Sequence, residues 1–324
     1  MNKFRALACG LIAASVSTFA MHTPAAAQEW PQRSVRLILP FGAGSATDIA
    51  ARLIGDKLSA KWDKPVIVEN RPGGDGLVAI NAFVTANDDH VLLYASSASF
   101  LAHPYTQDKL TYNLERDLAP IAQVTDTVLS ISVPATTDIK TIADFVKAAK
   151  ASPEKYNTAG AAGLPQFTVE AFVKDQGLTT TNVPYRDVVQ AARDLAEGRI
   201  QFLLSSMAVM VPHVQSGKAR IIAIGSSQRS PLYKDVPSVV EAGFPGLVVE
   251  TTAGFYGPSS MPLALRKRIG NDVIEAAKDP TIVSRISATG QDMRPGGPDD
   301  LTATIKKQTA NTAKVAKILG MAKK

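Results

Sequence analysis

The stretch Pro40-Phe41-Gly42-Ala43-Gly44-Ser45-Ala46-Thr47-Asp48 separates two segments with different hydrophobic patterns. Residues 35–39 are mostly aliphatic or β-branched and predict a short strand. After the stretch, apolar residues recur at steps of four and five, which predicts one face of a helix. A glycine loop at such a junction leaves backbone N–H groups exposed at the helix start, where the helix dipole adds about half a positive charge. We therefore expect the first glycine loop (residues 40–48) to attract an anion.

Simpler interpretations of this loop remain open at this point. Asp48 could only stabilise the helix dipole, and Ser45 and Thr47 could only cap the helix. The Gly42-x-Gly44 spacing begins like a dinucleotide fingerprint, but Thr47 stands where the third glycine belongs. A nucleotide cofactor is therefore not expected.

Residues 1–27 have the pattern of a secretory signal peptide. Lys3 and Arg5 precede an apolar stretch, and three alanines ending at Ala27 form a cleavage site. We expect cleavage after Ala27, a periplasmic location and a formal charge that falls from +6 to +4, because the leader carries two basic residues and no acidic ones. This charge requires no nucleic-acid partner. Cys9 is the single cysteine, so the mature chain is expected to lack disulfides and cysteine metal sites.

The rest of the chain predicts two α/β domains. A strand over 65–69 leads into a second glycine loop (residues 70–76), and a strand over 91–95 ends in a serine-rich segment, 96–99. This alternation of strands, loops and helices favours a parallel α/β sheet, in which ligands bind beyond the carboxyl ends of the strands. A further strand–helix series between 128 and 227 predicts the second domain, and about 297 mature residues also favour two domains.

Three local patterns predict further elements. Thr141 with Asp144 resembles a capping box at the start of a helix. Residues 247–252 and 254–257 predict strands, and residues 297–300 start a last long helix. The buried side of that helix is marked by Leu301, Ile305, Thr312, Val315 and Leu319.

Signatures of an enzyme are scarce. His90, His103 and His213 have no partner at metal or triad spacing, and no nucleophile elbow, phosphate-binding lysine loop or zinc motif occurs. We expect no catalytic residue, no metal and no cofactor, although an exported hydrolase remains an alternative. The recurring feature is that strands end in glycine or hydroxyl residues.

Several motifs, in their order, resemble the Bug or TctC family, the extracytoplasmic solute-binding proteins of tripartite tricarboxylate transporters. The resemblance covers essentially the whole mature chain. Its motifs are Trp30-Pro31, Val35 to Arg52, Val68-Glu69-Asn70-Arg71-Pro72-Gly73-Gly74, Val183-Pro184-Tyr185 and Asp235-Val236-Pro237-Ser238-Val239-Val240-Glu241-Ala242-Gly243.

The resemblance implies a type II periplasmic-binding-protein fold with two doubly wound α/β lobes around a ligand cleft. One lobe would comprise residues 28–126 and 249–324, and the other residues 127–248. It implies a monomer that captures a small carboxylate, such as a dicarboxylate, an amino acid or an aromatic acid, and delivers it to a membrane permease. A receptor of the same fold that signals to a membrane sensor is an alternative.

The resemblance also implies which residues meet the ligand, chiefly through backbone N–H groups, hydroxyls and ordered waters. These are Phe41, Gly42, Ala43, Gly44, Ser45, Thr47, Asp48, Ser96, Ser97, Ser99, Gly160, Ala161, Gln166, Tyr185 and Ser205. Three of them depart from the usual family residue: Ser45 replaces a glycine, Gln166 a frequent histidine and Ser205 a frequent aspartate. We therefore expect the general mechanism to be shared with the family more closely than the ligand.

Overall fold

The computed structural model describes residues 30–161, 163–185 and 187–323, so the predicted signal peptide lies outside the described residues. Within them, the strands form two separate sheets, one with six strands and one with five. The chain forms four strands of the first sheet, then the whole second sheet, and returns to add the last two strands of the first. This order of assembly places two connections between the sheets.

The first sheet has the strand order β11-β4-β10-β3-β1-β2. Three strands, β1, β2 and β3, are parallel as expected, whereas β10 runs antiparallel to β3 and β4, and β11 antiparallel to β4. The sheet is mixed because of the path of the chain after β4. The chain passes from β4 into the other sheet and comes back as β10, which pairs with β4 without a crossover helix between them, so the two strands are antiparallel. The strands are β1 (Val35–Leu39), β2 (Val66–Asn70), β3 (Val91–Ser96), β4 (Ala119–Thr127), β10 (Thr251–Gly257) and β11 (Gln291–Gly296).

The second sheet has the order β7-β6-β8-β5-β9. Its central strand β8 is parallel to β6 and antiparallel to β5. The strands are β5 (Leu129–Pro134), β6 (Asn157–Gly160), β7 (Thr181–Asn182), β8 (Phe202–Ser206) and β9 (Ala219–Ile224).

Helices cover the faces of both sheets, and local sequence sets several of their ends. Ser45 caps α1, and Thr141 with Asp144 forms the capping box expected at the start of α5. The helices of the described residues are α1 (Ala46–Trp62), α2 (Leu77–Ala86), α3 (His103–Thr106), α4 (Leu114–Asp117), α5 (Ile142–Ala151), α6 (Leu164–Asp175), α7 (Val188–Ala196), α8 (Met207–Gln215), α9 (Leu263–Ala277), α10 (Pro280–Ser287) and α11 (Pro298–Leu319). In the part of the chain that the structure describes, none of them is both long and apolar enough to cross a membrane.

Two connections join the sheets. Val128 alone separates β4 from β5, and residues 225–250 lead from β9 to β10. The second connection is tied back, because Gly225 donates its N–H to Leu129 O and Val249 donates to Gly225 O, at 2.9 and 2.8 Å. The predicted strand over 247–252 is therefore shorter at its start, and residues 245–247 form a 3₁₀ turn that begins with proline.

Helix α11 packs on both parts of the molecule. Near its start, Leu301 lies against Gly254 of β10, where a Cβ would come within 2.9 Å of the leucine side chain. Towards its end, Thr312 and Val315 face Leu164 and Thr168 of α6, in the second part of the chain. Consistent with this, one apolar core contains buried residues from both sheets and from α11.

Candidate functional site

The first glycine loop connects β1 to α1 as predicted. Ser45 is the helix N-cap, and its Oγ accepts the N–H of Asp48 at 3.2 Å. Gly44 has φ +82°, a conformation that glycine adopts at little cost. Residues 42–44 are exposed, and the first-turn amides that follow have no carbonyl of the preceding turn to bind. The loop thus presents main-chain donors at the positive end of a 17-residue helix.

Asp48 holds this loop from beneath. Its carboxylate is 2% exposed and accepts Gly44 N–H at 2.9 Å, Arg52 Nε at 3.0 Å and Asn70 Nδ2 at 2.8 Å. Burial alone raises the pKa of Asp48, but the hydrogen bonds from Arg52, Asn70 and Gly44 outweigh it and bring the pKa below its usual value. Both carboxylate oxygens are therefore engaged inside the protein, which gives Asp48 a positioning role.

Asn70 and Gln291 are loop supports that sequence reasoning missed. Asn70 also donates to Phe41 O at 3.0 Å, and Gln291 Nε2 donates to Ala46 O at 2.9 Å. Asn70 reaches the loop because it ends β2 directly beside Leu39 of β1 in the parallel register. A polar residue at the carboxyl end of a predicted strand was the available signal for Asn70. Gln291 lies on a strand that the sequence pattern did not reveal.

The second glycine loop packs on the serine-rich segment. Gly76 has φ +103°, and a Cβ there would lie 3.0 Å from both Ser99 Cβ and Ser99 O. Ser97 Oγ accepts Thr252 N–H at 3.0 Å, and Ser96 Oγ accepts Ala98 N–H at 3.4 Å. All three serines of this segment are buried. The serine-rich segment therefore supports the second glycine loop and connects it to β10.

In the second part of the chain, the equivalent junction is between β6 and α6. Gln166 Oε1 accepts Gly160 N–H at 2.7 Å, while its Nε2 donates to Glu170 and Asn182 at 2.9 and 2.5 Å. Ala161 N–H donates to Leu204 O at 2.9 Å. The Gln166 side chain therefore has partners on both of its polar atoms within its own lobe.

Ser205 and Tyr185 differ in their surroundings. Ser205 is fully buried on β8 opposite Ser130, and its Oγ has no hydrogen-bond partner among the described residues. Tyr185 donates its hydroxyl to Asp194 of α7 at 2.7 Å, and burial together with that carboxylate raises the pKa of Tyr185 to about 12. Ser205 thus retains an unused hydroxyl, whereas that of Tyr185 is engaged.

The structure brings two of the predicted segments together across the two sheets. A Cβ on Gly163, which precedes α6, would lie 3.5 Å from Ala98 O in the serine-rich segment. Nearby, the rings of Tyr105 and Phe167 have centroids 6.4 Å apart. Segments 96–99 and 160–166 therefore face one another. The first glycine loop is fastened to β2 and β11 within the first sheet, and Tyr185 lies against α7.

Comparison with known proteins decides the family. The family described as "Tripartite tricarboxylate transporter family receptor" matches residues 50–321. The chain belongs to this family. A UPF0065 protein of Bordetella bronchiseptica is 32% identical over 298 residues, covering 91% of this chain and 89% of that protein. Protein BugT of Bordetella pertussis is 26% identical over 324 residues, 99% of each chain.

Solved structures confirm the expected two-lobed type II periplasmic-binding-protein fold of this receptor. A periplasmic transporter is 26% identical with a TM-score of 0.76, covering 89% of this chain and 98% of that chain. MatC from Rhodopseudomonas palustris, with bound malate, is 25% identical with a TM-score of 0.74, covering 88% and 99%. The protein is a solute-binding receptor, and its family is one of receptors and not of enzymes.

One cluster of the receptor has the composition of a metal site but not its chemistry. Among the residues described by the structure, Asp88, Asp89 and His90 form the group whose ligand atoms lie within 4.8 Å of one another. Both oxygens of Asp88 accept Arg33 Nη2 at 2.7 Å. His90 Nε2 accepts Gln32 N–H at 3.1 Å, so Nδ1 carries the proton that faces Asp89 at 2.6 Å. The imidazole has no free lone pair, and the cluster stabilises the start of the described chain.

His103 is also structural. It is buried, its Nδ1 lies 2.8 Å from the Tyr112 hydroxyl, and its Nε2 lies 3.2 Å from Asp75 O. Burial lowers the pKa of His103. A neutral histidine therefore helps to fasten the second glycine loop.

Proposed function

We propose that this receptor captures a small organic carboxylate between its two lobes and delivers it to the membrane permease of a tripartite tricarboxylate transporter. The observation that carries the proposal is the first glycine loop, with its exposed amides at the start of α1 and a buried carboxylate holding the backbone from behind. Because the hydrogen bonds that Asp48 accepts compensate its negative charge, the exposed side of the loop favours an anion.

We propose that the lobes that close on the ligand have the boundaries implied by the resemblance to the family. One lobe comprises residues 28–126 and 249–324, and the other residues 127–248. Support comes from the separate hydrogen-bonded sheets and from Val128, the single residue between β4 and β5. A short connection of this kind suits a hinge, about which the lobes rotate during closure.

The contacts of the ligand are proposed in two groups. Main-chain N–H groups of Gly42, Ala43 and Thr47, with the Ser45 hydroxyl, hold one carboxylate, while Gly44, whose own N–H is donated to Asp48, lines the loop between them. Across the cleft, Ser205 Oγ is the buried hydroxyl without a partner in the described chain, and it is proposed to bind the far end of the ligand directly or through water. The remaining predicted residues shape the cleft: Phe41, Asp48, Ser96, Ser97, Ser99, Gly160, Ala161, Gln166 and Tyr185.

The binding energy available from hydrogen bonds is sufficient to capture a carboxylate without any chemical reaction of the ligand. A hydrogen bond to a charged group contributes roughly 1.5–3 kcal/mol, and micromolar affinity corresponds to about 8 kcal/mol. A handful of donors can therefore offset desolvation of a carboxylate and still provide useful affinity. Malate bound to MatC, a relative of the same fold, makes malate the first ligand to test.

The cellular location of the receptor and its permease partner are proposed from the signal peptide and from the family. Residues 1–27 direct export, with cleavage after Ala27, and the mature receptor acts in the periplasm as a monomer. Closure of the lobes presents a joint surface to the permease, which releases the ligand for transport. We propose no metal or cofactor for binding.

Thermal unfolding with a panel of acids tests the proposal. L-malate, succinate, glutamate and benzoate are added at rising concentration to the mature protein, with product analysis to detect hydrolysis. A ligand at about one hundred times its dissociation constant adds about 2.7 kcal/mol of stability. If none of these or other small carboxylates raises the unfolding temperature, the proposed substrate class is wrong.

A pair of glycine variants tests the location of the site. Gly44 and Gly243 have φ values of +82° and +86°, and a Cβ at either position meets no atom within 4 Å. Gly44→Leu and Gly243→Leu therefore introduce similar backbone strain, but only the first crowds the proposed site. Loss of ligand affinity in Gly44→Leu alone is expected, and equal affinity in the two variants would place the ligand elsewhere.

A further inference from the structure

A polar cavity of about 330 Å³ lies at the hinge. Its wall includes both connections between the sheets, at residues 126–129 and 249–252, and the loop over residues 224–230. Residues of β11 and α11 complete it. The volume falls within the range of roughly 300–1,000 Å³ that is usual for small-molecule sites. We call this space the hinge cavity.

The hinge cavity is distinct from the proposed carboxylate site. In the first sheet its lining comes from β4, β10 and β11, whereas the glycine loops and the serine-rich segment follow β1, β2 and β3. In the second sheet the lining comes from β5 and the end of β9, whereas Gly160 and Ser205 belong to β6 and β8. The two sites are therefore lined by different strands of each sheet, with β10 next to β3 and β5 next to β8.

Acidic groups line the interior of the hinge cavity. Asp126 and Asp292 stand directly opposite each other on β4 and β11, an arrangement of like charges that is unfavourable without a cation between them. Glu250 is a third carboxylate in the lining. Asp292 accepts Ser230 Oγ at 2.9 Å, and Glu250 accepts Lys307 Nζ at 2.8 Å and Ser227 N–H at 3.0 Å.

The basic side chains of the lining lie nearer to solvent. Those of Arg229, Arg294 and Lys307 are 45%, 52% and 58% exposed, against 31% for Asp126 and 21% for Glu250. Arg229 is engaged by Glu241 outside the lining, and Arg294 Nε is 3.5 Å from Asp126 Oδ2. The interior consequently offers more acceptors than donors.

Gln308 adds an unused acceptor to this lining. It is 3% exposed, and its Nε2 donates to Thr252 Oγ1 at 3.0 Å, while Thr252 Oγ1 donates its one proton to Asp126 at 2.6 Å. This chain fixes the orientation of the carboxamide, because Thr252 has no second proton to give to Oε1. Gln308 Oε1 is buried and has no hydrogen-bond partner among the described residues. Because buried polar atoms are normally hydrogen-bonded, this oxygen is suited to accept a hydrogen bond from an N–H or O–H donor.

We propose that the hinge cavity is a second binding site, specific for a small primary ammonium compound. The ammonium group carries three N–H donors, which suit Gln308 Oε1 and the carboxylate of Asp126, and its charge offsets the facing pair of aspartates. Because both connections between the lobes line the cavity, its occupant contacts the segments that move during closure. Occupancy therefore changes affinity for the carboxylate, and the carboxylate changes affinity for the ammonium by the same factor.

An NMR titration of the mature protein with n-propylammonium chloride tests this site, with the side-chain amide of Gln308 as the reporter. The probe has no carboxylate, so its binding does not depend on the proposed function. Three salts serve as comparisons at equal ionic strength: tetramethylammonium chloride, which has no N–H donor, potassium chloride, and sodium propionate. Saturable shifts at Gln308 are expected with n-propylammonium alone.

Two variants and a control locate the interaction. Asp126→Asn retains an acceptor for Thr252 but removes the charge, and is expected to weaken binding about tenfold. Gln308→Met removes the unused acceptor and is expected to weaken binding about tenfold; because it also removes the reporting side-chain amide, its binding is followed at the backbone amide of Thr252. Asp56→Asn removes an exposed carboxylate on α1, outside the cavity, and is expected to leave the affinity unchanged. These fold-changes correspond to about 1.4 kcal/mol each.

Every other result overturns the proposal. No saturable shift in the unmodified protein would mean that the cavity holds only solvent. Equal binding of tetramethylammonium or potassium would show attraction of any cation, without recognition of N–H donors. Unchanged affinity in both Asp126→Asn and Gln308→Met would place the ammonium elsewhere, and should one variant fail to fold, the other still decides the point.

Discussion

At the end of β1, a charged side chain holds the backbone, because Asp48 accepts Gly44 N–H from a fully buried position. At the end of β6, a neutral side chain does so, because Gln166 accepts Gly160 N–H from a half-buried one. The space around the two backbones also differs. A Cβ on Gly42 or Gly44 meets no atom within 4 Å, whereas one on Gly160 would lie 2.5 Å from the backbone of Gln166.

This difference separates two ways of building a binding surface. The first glycine loop is exposed and is held in place by the side chains of Asp48, Asn70 and Gln291. The loop amides that these side chains do not bind are therefore accessible to a ligand. The β6–α6 junction is closed by direct packing, so it forms a fixed wall opposite the serine-rich segment. We infer that the first loop provides most of the binding energy and that the second junction sets the shape of the cleft.

The largest expected effect comes from filling the packed junction. Gly160→Ala places a Cβ 2.5 Å from both N and Cα of Gln166, so the start of α6 must shift. Overpacking of this kind costs about 1–3 kcal/mol, and backbone contacts favour the upper end of that range. Urea unfolding measures the loss. Gly42→Ala is the matched control, with an expected change below about 0.5 kcal/mol. Equal losses in the two variants would remove the distinction drawn above.

A smaller effect, with a characteristic pH dependence, is expected from the two supporting side chains. Asp48→Asn leaves donors facing an amide and is expected to cost about 2–3 kcal/mol at pH 7, whereas Gln166→Met removes a neutral acceptor and costs about 1 kcal/mol. The folded pKa of Asp48 lies below its ordinary value of 3.8, so its stabilisation is complete above that value. It is then lost as the pH falls through the lower, folded pKa.

Urea unfolding between pH 7 and pH 3 distinguishes the two supports. The difference between the unmodified protein and Asp48→Asn should shrink on acidification by more than the difference for Gln166→Met, which loses one neutral donor to the Glu170 carboxylate. A constant difference for Asp48→Asn would show that the carboxylate contributes no more than a neutral side chain in the same place.

Much of the first loop could be predicted because its causes are local. The strand over 35–39, the capping serine at 45 and the acid at 48 lie within a few residues of one another, and the capping box at Thr141 depends on a spacing of three. Local hydrogen bonds and hydrophobic periodicity suffice for such elements. The two-lobed fold itself came from the resemblance to the family.

The supports of the loop could not be predicted, because strand register places them. Asn70 reaches Asp48 from 22 positions away, and Gln291 reaches Ala46 from 245 positions away. The sequence pattern gave no indication of β4 or β11, whose polar residues point to buried partners such as the Thr125–Gln291 pair. The same applies to Gln308, which lies on the correctly predicted last helix but was not expected on its buried side.

The smallest expected effect concerns Ser45, the capping residue of the first loop. Ser45 Oγ accepts the N–H of Asp48, but its own proton remains free to donate to a bound carboxylate. Ser45→Gly costs only a few tenths of a kcal/mol in capping, whereas Ser45→Ala costs about 1 kcal/mol. Both variants lose the same donor, so both should bind malate roughly fivefold more weakly, equivalent to about 1 kcal/mol. Calorimetric titration with malate measures the affinity, and urea unfolding measures the stability. If the affinity instead follows the stability, weakening in Ser45→Ala alone, the hydroxyl acts only as a helix cap, and the loop binds through its backbone without it.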